Sequence, residues 1–88
     1  MTSRDVVIQD EVGLHARPAI VFVKTANRFA ARLTVRAGEK EADAKSIVKV
    51  IGLGARKGVT ITISAEGVDE TEAVAALTRL VENDFAEA

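Results

Sequence analysis

The sequence predicts an α+β fold: a two-layer, open-faced β-sandwich in which a four-stranded antiparallel sheet carries three helices on one face, in the order β-α-β-β-α-β-α. Three observations carry that expectation. Segments with a two-residue hydrophobic period alternate with segments of three-and-four spacing along the chain. Each strand-like segment has one apolar and one polar side, as a sheet covered on a single face requires. Finally, 88 residues, 48% hydrophobic and 28% charged, suit a single domain over residues 1–88 with one core.

The elements follow in order. "DVVIQD" sets Val6 and Ile8 against Asp5, Val7 and Gln9, which makes it the first strand. From Ala16 to Phe29 the residues Ala19, Phe22, Val23, Ala26 and Phe29 mark the buried face of a helix, with Lys24, Asn27 and Arg28 toward water. Ile20 is the apolar exception on that wet side, and so a candidate contact for a partner. "RLTVRA" and "GEKEADA" form a hairpin turning at Gly38, with Leu33, Val35, Ala37, Ala42 and Ala44 inward. "SIVKVIGLG" reads as a short helix capped by Ser46 and ended by Gly52 and Gly54, with Ile47, Val50 and Ile51 at helical spacing. "GVTITISAEG" is the clearest strand, Val59, Ile61, Ile63 and Ala65 inward. Asp69 and Glu72 have the spacing of a capping box before a last helix that buries Val74, Leu77, Leu80 and Val81.

Composition narrows the function. The absence of cysteine removes disulfides and thiolate metal sites and is compatible with a cytoplasmic home, as is the lack of an apolar leader or spanning segment. Three phenylalanines, no other aromatic residue and a net charge of −1 argue against nucleic acid as a partner, and nothing suggests a membrane. A monomer that meets protein or small-molecule partners is expected.

The chemistry gathers in "GLHARP", which holds the only histidine and the only proline. Pro18 is tolerated in a first helical turn, whose N–H groups have no intrahelical acceptor, so His15 belongs at or beside the N-cap. The amides of Ala16 and Arg17 then point outward at the positive end of the helix dipole, where an anion is favoured. Arg17 adds a guanidinium whose fork matches phosphate oxygens. A neutral imidazole is a nucleophile, and a phosphoryl group is the electrophile such surroundings stabilise. On these residues alone, a phosphoryl acceptor and an ordinary capping histidine stand side by side. A single imidazole without clustered carboxylates completes no metal site, and no Ser-His-Asp arrangement is visible.

Beyond that local reading, the chain resembles the HPr family, the histidine-containing phosphocarriers of the bacterial phosphoenolpyruvate-dependent sugar phosphotransferase system. "GLHARP" resembles the family's active-site signature, "FVKTA" the continuation of its first helix and "AKSIVKVIGLG" its serine-centred second helix. "GVTITISAEG" with "DETEAV" resembles its last strand and helix. The resemblance implies that His15 accepts a phosphoryl group on Nδ1 from Enzyme I and passes it to IIA components of sugar permeases, with Arg17 assisting and the Ala16 and Arg17 amides holding the phosphate. It implies a carrier with a covalent intermediate rather than an independently turning-over enzyme, and no cofactor.

It also implies a docking surface around His15, with Ala16, Ile20 and Lys24 on the first helix and Ile47, Val48, Lys49 and Ile51 on the second as its candidates. Lys24, Lys45 and Lys49 would steer acidic partners. Ser46 carries a further implication: in part of the family this serine is phosphorylated by a dedicated kinase, which adds a serine kinase and a transcription regulator as partners. The sequence departs from the regulated pattern there, with Lys49 where glycine is common and Val48 where methionine is common. The alternative is a regulatory binding module, switched by phosphorylation at His15 or Ser46, with no role in sugar uptake.

Overall fold

The computed structural model describes residues 1–86. Seven elements occur in the expected order: β1 (Thr2–Val7), α1 (Ala16–Ala26), β2 (Arg32–Ala37), β3 (Lys40–Asp43), α2 (Ile47–Gly52), β4 (Thr60–Glu66) and α3 (Glu70–Glu82). The strands form one antiparallel sheet in the order β1-β4-β2-β3. Its register sets Val6 opposite Ile61, Val35 opposite Ile63 and Val35 opposite Ala42, so the β-branched residues of neighbouring strands line one face. The β2–β3 hairpin closes through Gly38 at φ +62°, a conformation that glycine adopts without steric cost.

Leu33, Val35, Ile61, Ile63 and Ala65 from the sheet meet Phe22, Ala26, Val50, Leu77 and Val81 from the helices in a core built almost entirely of aliphatic residues. Each fully buried side chain of this size contributes about 1.5–3 kcal/mol. Helix α3 packs on β1 and β4, α1 packs against α2 and α3, and α2 rests on β3. Ser3, Thr62 and Ser64 lie on the opposite, solvated face, where Thr62 donates to Asp5 at 2.7 Å and Ser3 meets Ser64 at 3.0 Å.

Three local expectations are corrected, and the end of the second helix is as expected. Helix α1 stops at Ala26 rather than Phe29, because the Asn27 side-chain amide donates to the Val23 carbonyl at 2.9 Å and to the Lys45 carbonyl at 3.2 Å, closing the helix end. Its inner face also takes in Val21, which is buried, while Val23 is only half-buried against the core. The Asp69 capping box does not form. The Asp69 carboxylate instead accepts the N–H groups of Ala30 at 2.9 Å and Ala31 at 2.8 Å, tying the start of α3 to the turn after α1. Gly52 ends α2 from within, as its last helical residue, and Gly54 at φ +64° turns the chain after it.

Candidate functional site

The site lies where two loops are clamped together. Between β1 and α1, Asp10 shapes a turn: its carboxylate accepts the Val12 N–H at 2.8 Å and its carbonyl accepts the Gly13 N–H at 3.2 Å. Leu14, fully buried, plugs the loop into the core and donates its N–H to the Ala55 carbonyl at 2.9 Å. At the base of the same loop pair, Ile8 donates to Val59 and Gly58 to Ile8, at 3.0 and 2.8 Å. Gly13 is required by the closeness of this contact. It has φ +71°, and a Cβ there would stand 2.4 Å from the Ala55 carbonyl oxygen and 2.8 Å from the Arg56 Cα.

His15 follows as the N-cap of α1, with an extended backbone and a side chain that makes no capping hydrogen bond. Ala16 is left-handed at φ +51°, a conformation costing a non-glycine residue about 1–2 kcal/mol. Pro18 occupies the first turn, where its missing N–H removes no helical bond. His15, Ala16 and Arg17 are all exposed. Among the described residues, the amides of Ala16 and Arg17 have no acceptor, and neither the His15 ring nor the Arg17 guanidinium has a polar partner. An exposed imidazole, two unsatisfied N–H donors and a helix dipole thus coincide in one turn, a combination suited to holding an anion at the ring.

The site residues divide between two adjoining clefts. His15 lines one of about 320 Å³ together with Glu11, Val12, Leu14, Ile51, Gly54, Ala55 and Arg56. Arg17 lines the neighbouring one with Val12, Pro18, Val21, Asp84 and Phe85. Sequence reasoning brought Arg17 to the site but missed the loop around Ala55 and Arg56. The only local signal for it was the closely spaced glycines of "GLGARKG", which say that the chain turns but not against what.

The surface residues sort clearly. Ala16, Ile20 and Lys24 are exposed along α1, and Val48, Lys49 and Ile51 along α2, Ile20 being 57% and Val48 75% accessible. Ile51 reaches the edge of the His15 cleft, whereas Ile47 is half-buried and packs against the core. Lys45 is half-buried, and its ammonium donates to the Phe29 carbonyl at 2.6 Å, which leaves its charge in place. Ser46 caps α2 as expected, its hydroxyl accepting the Lys49 N–H at 3.3 Å. Among the described residues, no cluster of three or more histidine, cysteine, aspartate or glutamate side chains could hold a metal ion, and no helix is long and apolar enough to cross a membrane.

An open-faced sheet under three helices, with the sole histidine exposed at the first helix start, is the architecture of the phosphocarriers of the phosphotransferase system. The family model described as the PTS HPr component phosphorylation site matches residues 2–83, and the chain belongs to this HPr family. It is 47% identical over 81 residues to the phosphocarrier protein HPr of Haemophilus influenzae, covering 92% of this chain and 95% of that protein. It is 42% identical over 77 residues to that of Mycoplasma capricolum, covering 88% and 86%. The crystal structure of HPr-C-His from Thermoanaerobacter tengcongensis superposes with a TM-score of 0.95 at 42% identity, over 100% of this chain and 99% of that one.

Proposed function

We propose that this chain, as one domain over residues 1–88, is a monomeric cytoplasmic carrier that takes a phosphoryl group from Enzyme I onto His15 and delivers it to IIA components of sugar permeases. The observation that carries the reading is the exposed His15 ring beside two helix-start amides, all without a partner among the described residues. In the transfer the Nδ1 lone pair attacks phosphorus. The N–P bond forms as the bond to the donor's group breaks, and the donor keeps that electron pair. The amides of Ala16 and Arg17 and the Arg17 guanidinium hold the oxygens as negative charge is redistributed. Delivery reverses these steps: the acceptor's nucleophile bonds phosphorus and the N–P electron pair returns to His15. Ala16, Ile20, Lys24, Ile47, Val48, Lys49 and Ile51 form the docking surface, with Ile47 supporting it from beneath.

Incubation with phosphoenolpyruvate and Enzyme I tests the reading. The expected result is one acid-labile label, lost in His15→Ala with the melting temperature retained, slowed in Arg17→Ala, and chased onto a IIA protein. An unlabelled His15, under conditions that label a known carrier, overturns it. The same mapping separates the regulatory alternative: an acid-stable label on Ser46 from a serine kinase, with no delivery to a IIA protein, would make the chain a switched binding module. A phosphate on Ser46 would place about two negative charges beside Val48 and Lys49.

A further inference from the structure

The cleft that His15 lines is also lined by an arginine, and it is not Arg17. Arg56 lines the cleft from the loop before β4, one residue beyond the Ala55 carbonyl that anchors Leu14 at 2.9 Å. Its Cα packs against Gly13 so closely that a Cβ on the glycine would stand 2.8 Å from it. The backbone carrying Arg56 is therefore fixed to the backbone carrying His15 by a hydrogen bond and by steric contact. Among the described residues the Arg56 side chain has no ion-pair or hydrogen-bond partner, and it is exposed.

The other charged residue of the cleft does not cancel it. Glu11 is engaged by the Lys57 ammonium at 3.0 Å, which leaves Arg56 as the cleft's charge without a counter-ion among the described residues. Val12, Leu14, Ile51 and Ala55 supply apolar walls. A small cleft lined by a histidine, by an arginine that is unpaired among the described residues and by apolar side chains favours an anion seated on the ring, with the planar fork available to two of its oxygens.

We propose that Arg56 is a phosphoryl-binding residue: it holds the phosphoryl group of phosphorylated His15 from the loop before β4, while Arg17 and the helix-start amides hold it from α1. The proposal rests on His15 being the phosphoryl acceptor. Two guanidiniums, one from the start of α1 and one from the loop before β4, fix the orientation of the group between donor and acceptor and favour its doubly ionised form.

The test starts from the full chain phosphorylated with Enzyme I and phosphoenolpyruvate. Failure of the unaltered chain to become labelled at His15 would sink the parent reading before Arg56 is addressed. With labelling established, the pH titration of the phosphoryl resonance in ³¹P spectra is compared for the unaltered chain, Arg56→Gln, Arg56→Lys and Arg36→Gln, the last making the same charge change on the open face of the sheet. The expected result is an upward displacement of the phosphoryl titration in Arg56→Gln, partial restoration in Arg56→Lys, and none in Arg36→Gln. Transfer to a IIA protein should slow roughly three- to tenfold in Arg56→Gln, the range for losing one charge-assisted hydrogen bond at an exposed site. A phosphoryl titration in Arg56→Gln that matches the unaltered chain overturns the proposal, as does an equal displacement in Arg36→Gln.

Discussion

At the scale of single residues, two positions make opposite predictions. Gly13 is confined twice, by its left-handed backbone and by the Ala55 carbonyl lying where a Cβ would go. Gly13→Ala is expected to destabilise the fold by more than about 1 kcal/mol, since left-handed strain alone reaches that figure and the contact adds to it. Because the displaced loop carries His15, labelling should fall too, and denaturant unfolding beside a labelling assay checks both. Thr78 is the converse case. It is 3% exposed on α3, and its hydroxyl has no hydrogen-bond partner among the described residues. A buried hydroxyl without a partner costs about 1–3 kcal/mol, and valine keeps its shape. Thr78→Val should therefore raise stability by about 1 kcal/mol while leaving phosphoryl transfer unchanged.

At the scale of elements, the start of α3 is fastened by two adjacent carboxylates. Glu70 accepts the Thr2 hydroxyl at 2.7 Å and the Gly67 N–H at 3.2 Å, and stands 3.1 Å from the N-terminal ammonium. The Thr2 hydrogen bond foremost, then that from Gly67 and the ammonium, hold its carboxyl at about 2, well below the ordinary value of 4.5. Asp69 is lowered as well, first by the Ala30 N–H and further by that of Ala31, against an opposing effect of desolvation. Both groups are more acidic folded than unfolded, so their stabilisation is complete above the ordinary carboxylate range. It is lost as protons bind on falling pH, for Glu70 between about 4.5 and about 2. Thermal melting should therefore fall across that window, and Glu70→Gln should flatten the dependence while lowering stability at neutral pH. These contacts also show where sequence reading reaches its limit. Asp69 and Glu72 have the spacing of a cap, and only the arrival of the α1–β2 turn gives the Asp69 oxygens better donors than the helix's own amides. The strands, by contrast, were legible because Val35, Ile61 and Ile63 take their two-residue period from the sheet itself.

At the scale of the whole molecule, fold and function occupy separate surfaces. His15 was legible because the helix start, the proline and the arginine are neighbours in sequence. Arg56 was not, because only the closure of two loops, joined by Leu14 and Ala55, which lie 41 positions apart, brings it to the cleft of the imidazole. The proposed docking patch has the same long-range origin, since its exposed apolar residues Ile20, Val48 and Ile51 come from α1 and α2, two helices that pack together, and Ile51 reaches the His15 cleft. None of the three is needed for the core: Ile20, Val48 and Ile51 are 57%, 75% and 36% exposed. Val68, 93% exposed in the turn before α3, is equally apolar and belongs to no such patch. Replacing a dispensable surface valine or isoleucine by glutamate should change stability by less than about 0.5 kcal/mol, so Ile20→Glu, Val48→Glu and Val68→Glu should melt alike. Their partners should tell them apart. An unpaired carboxylate pressed into an apolar contact loses its water without gaining a counter-ion, so Ile20→Glu and Val48→Glu should weaken binding to Enzyme I and to a IIA protein by about tenfold or more. Val68→Glu should bind as the unaltered chain does. Affinities for all three variants that match the unaltered chain, measured by calorimetric titration, would place the docking surface elsewhere. An equal loss in Val68→Glu would instead assign the effect to net charge, since each variant adds the same single negative charge while only two place it on the proposed docking patch.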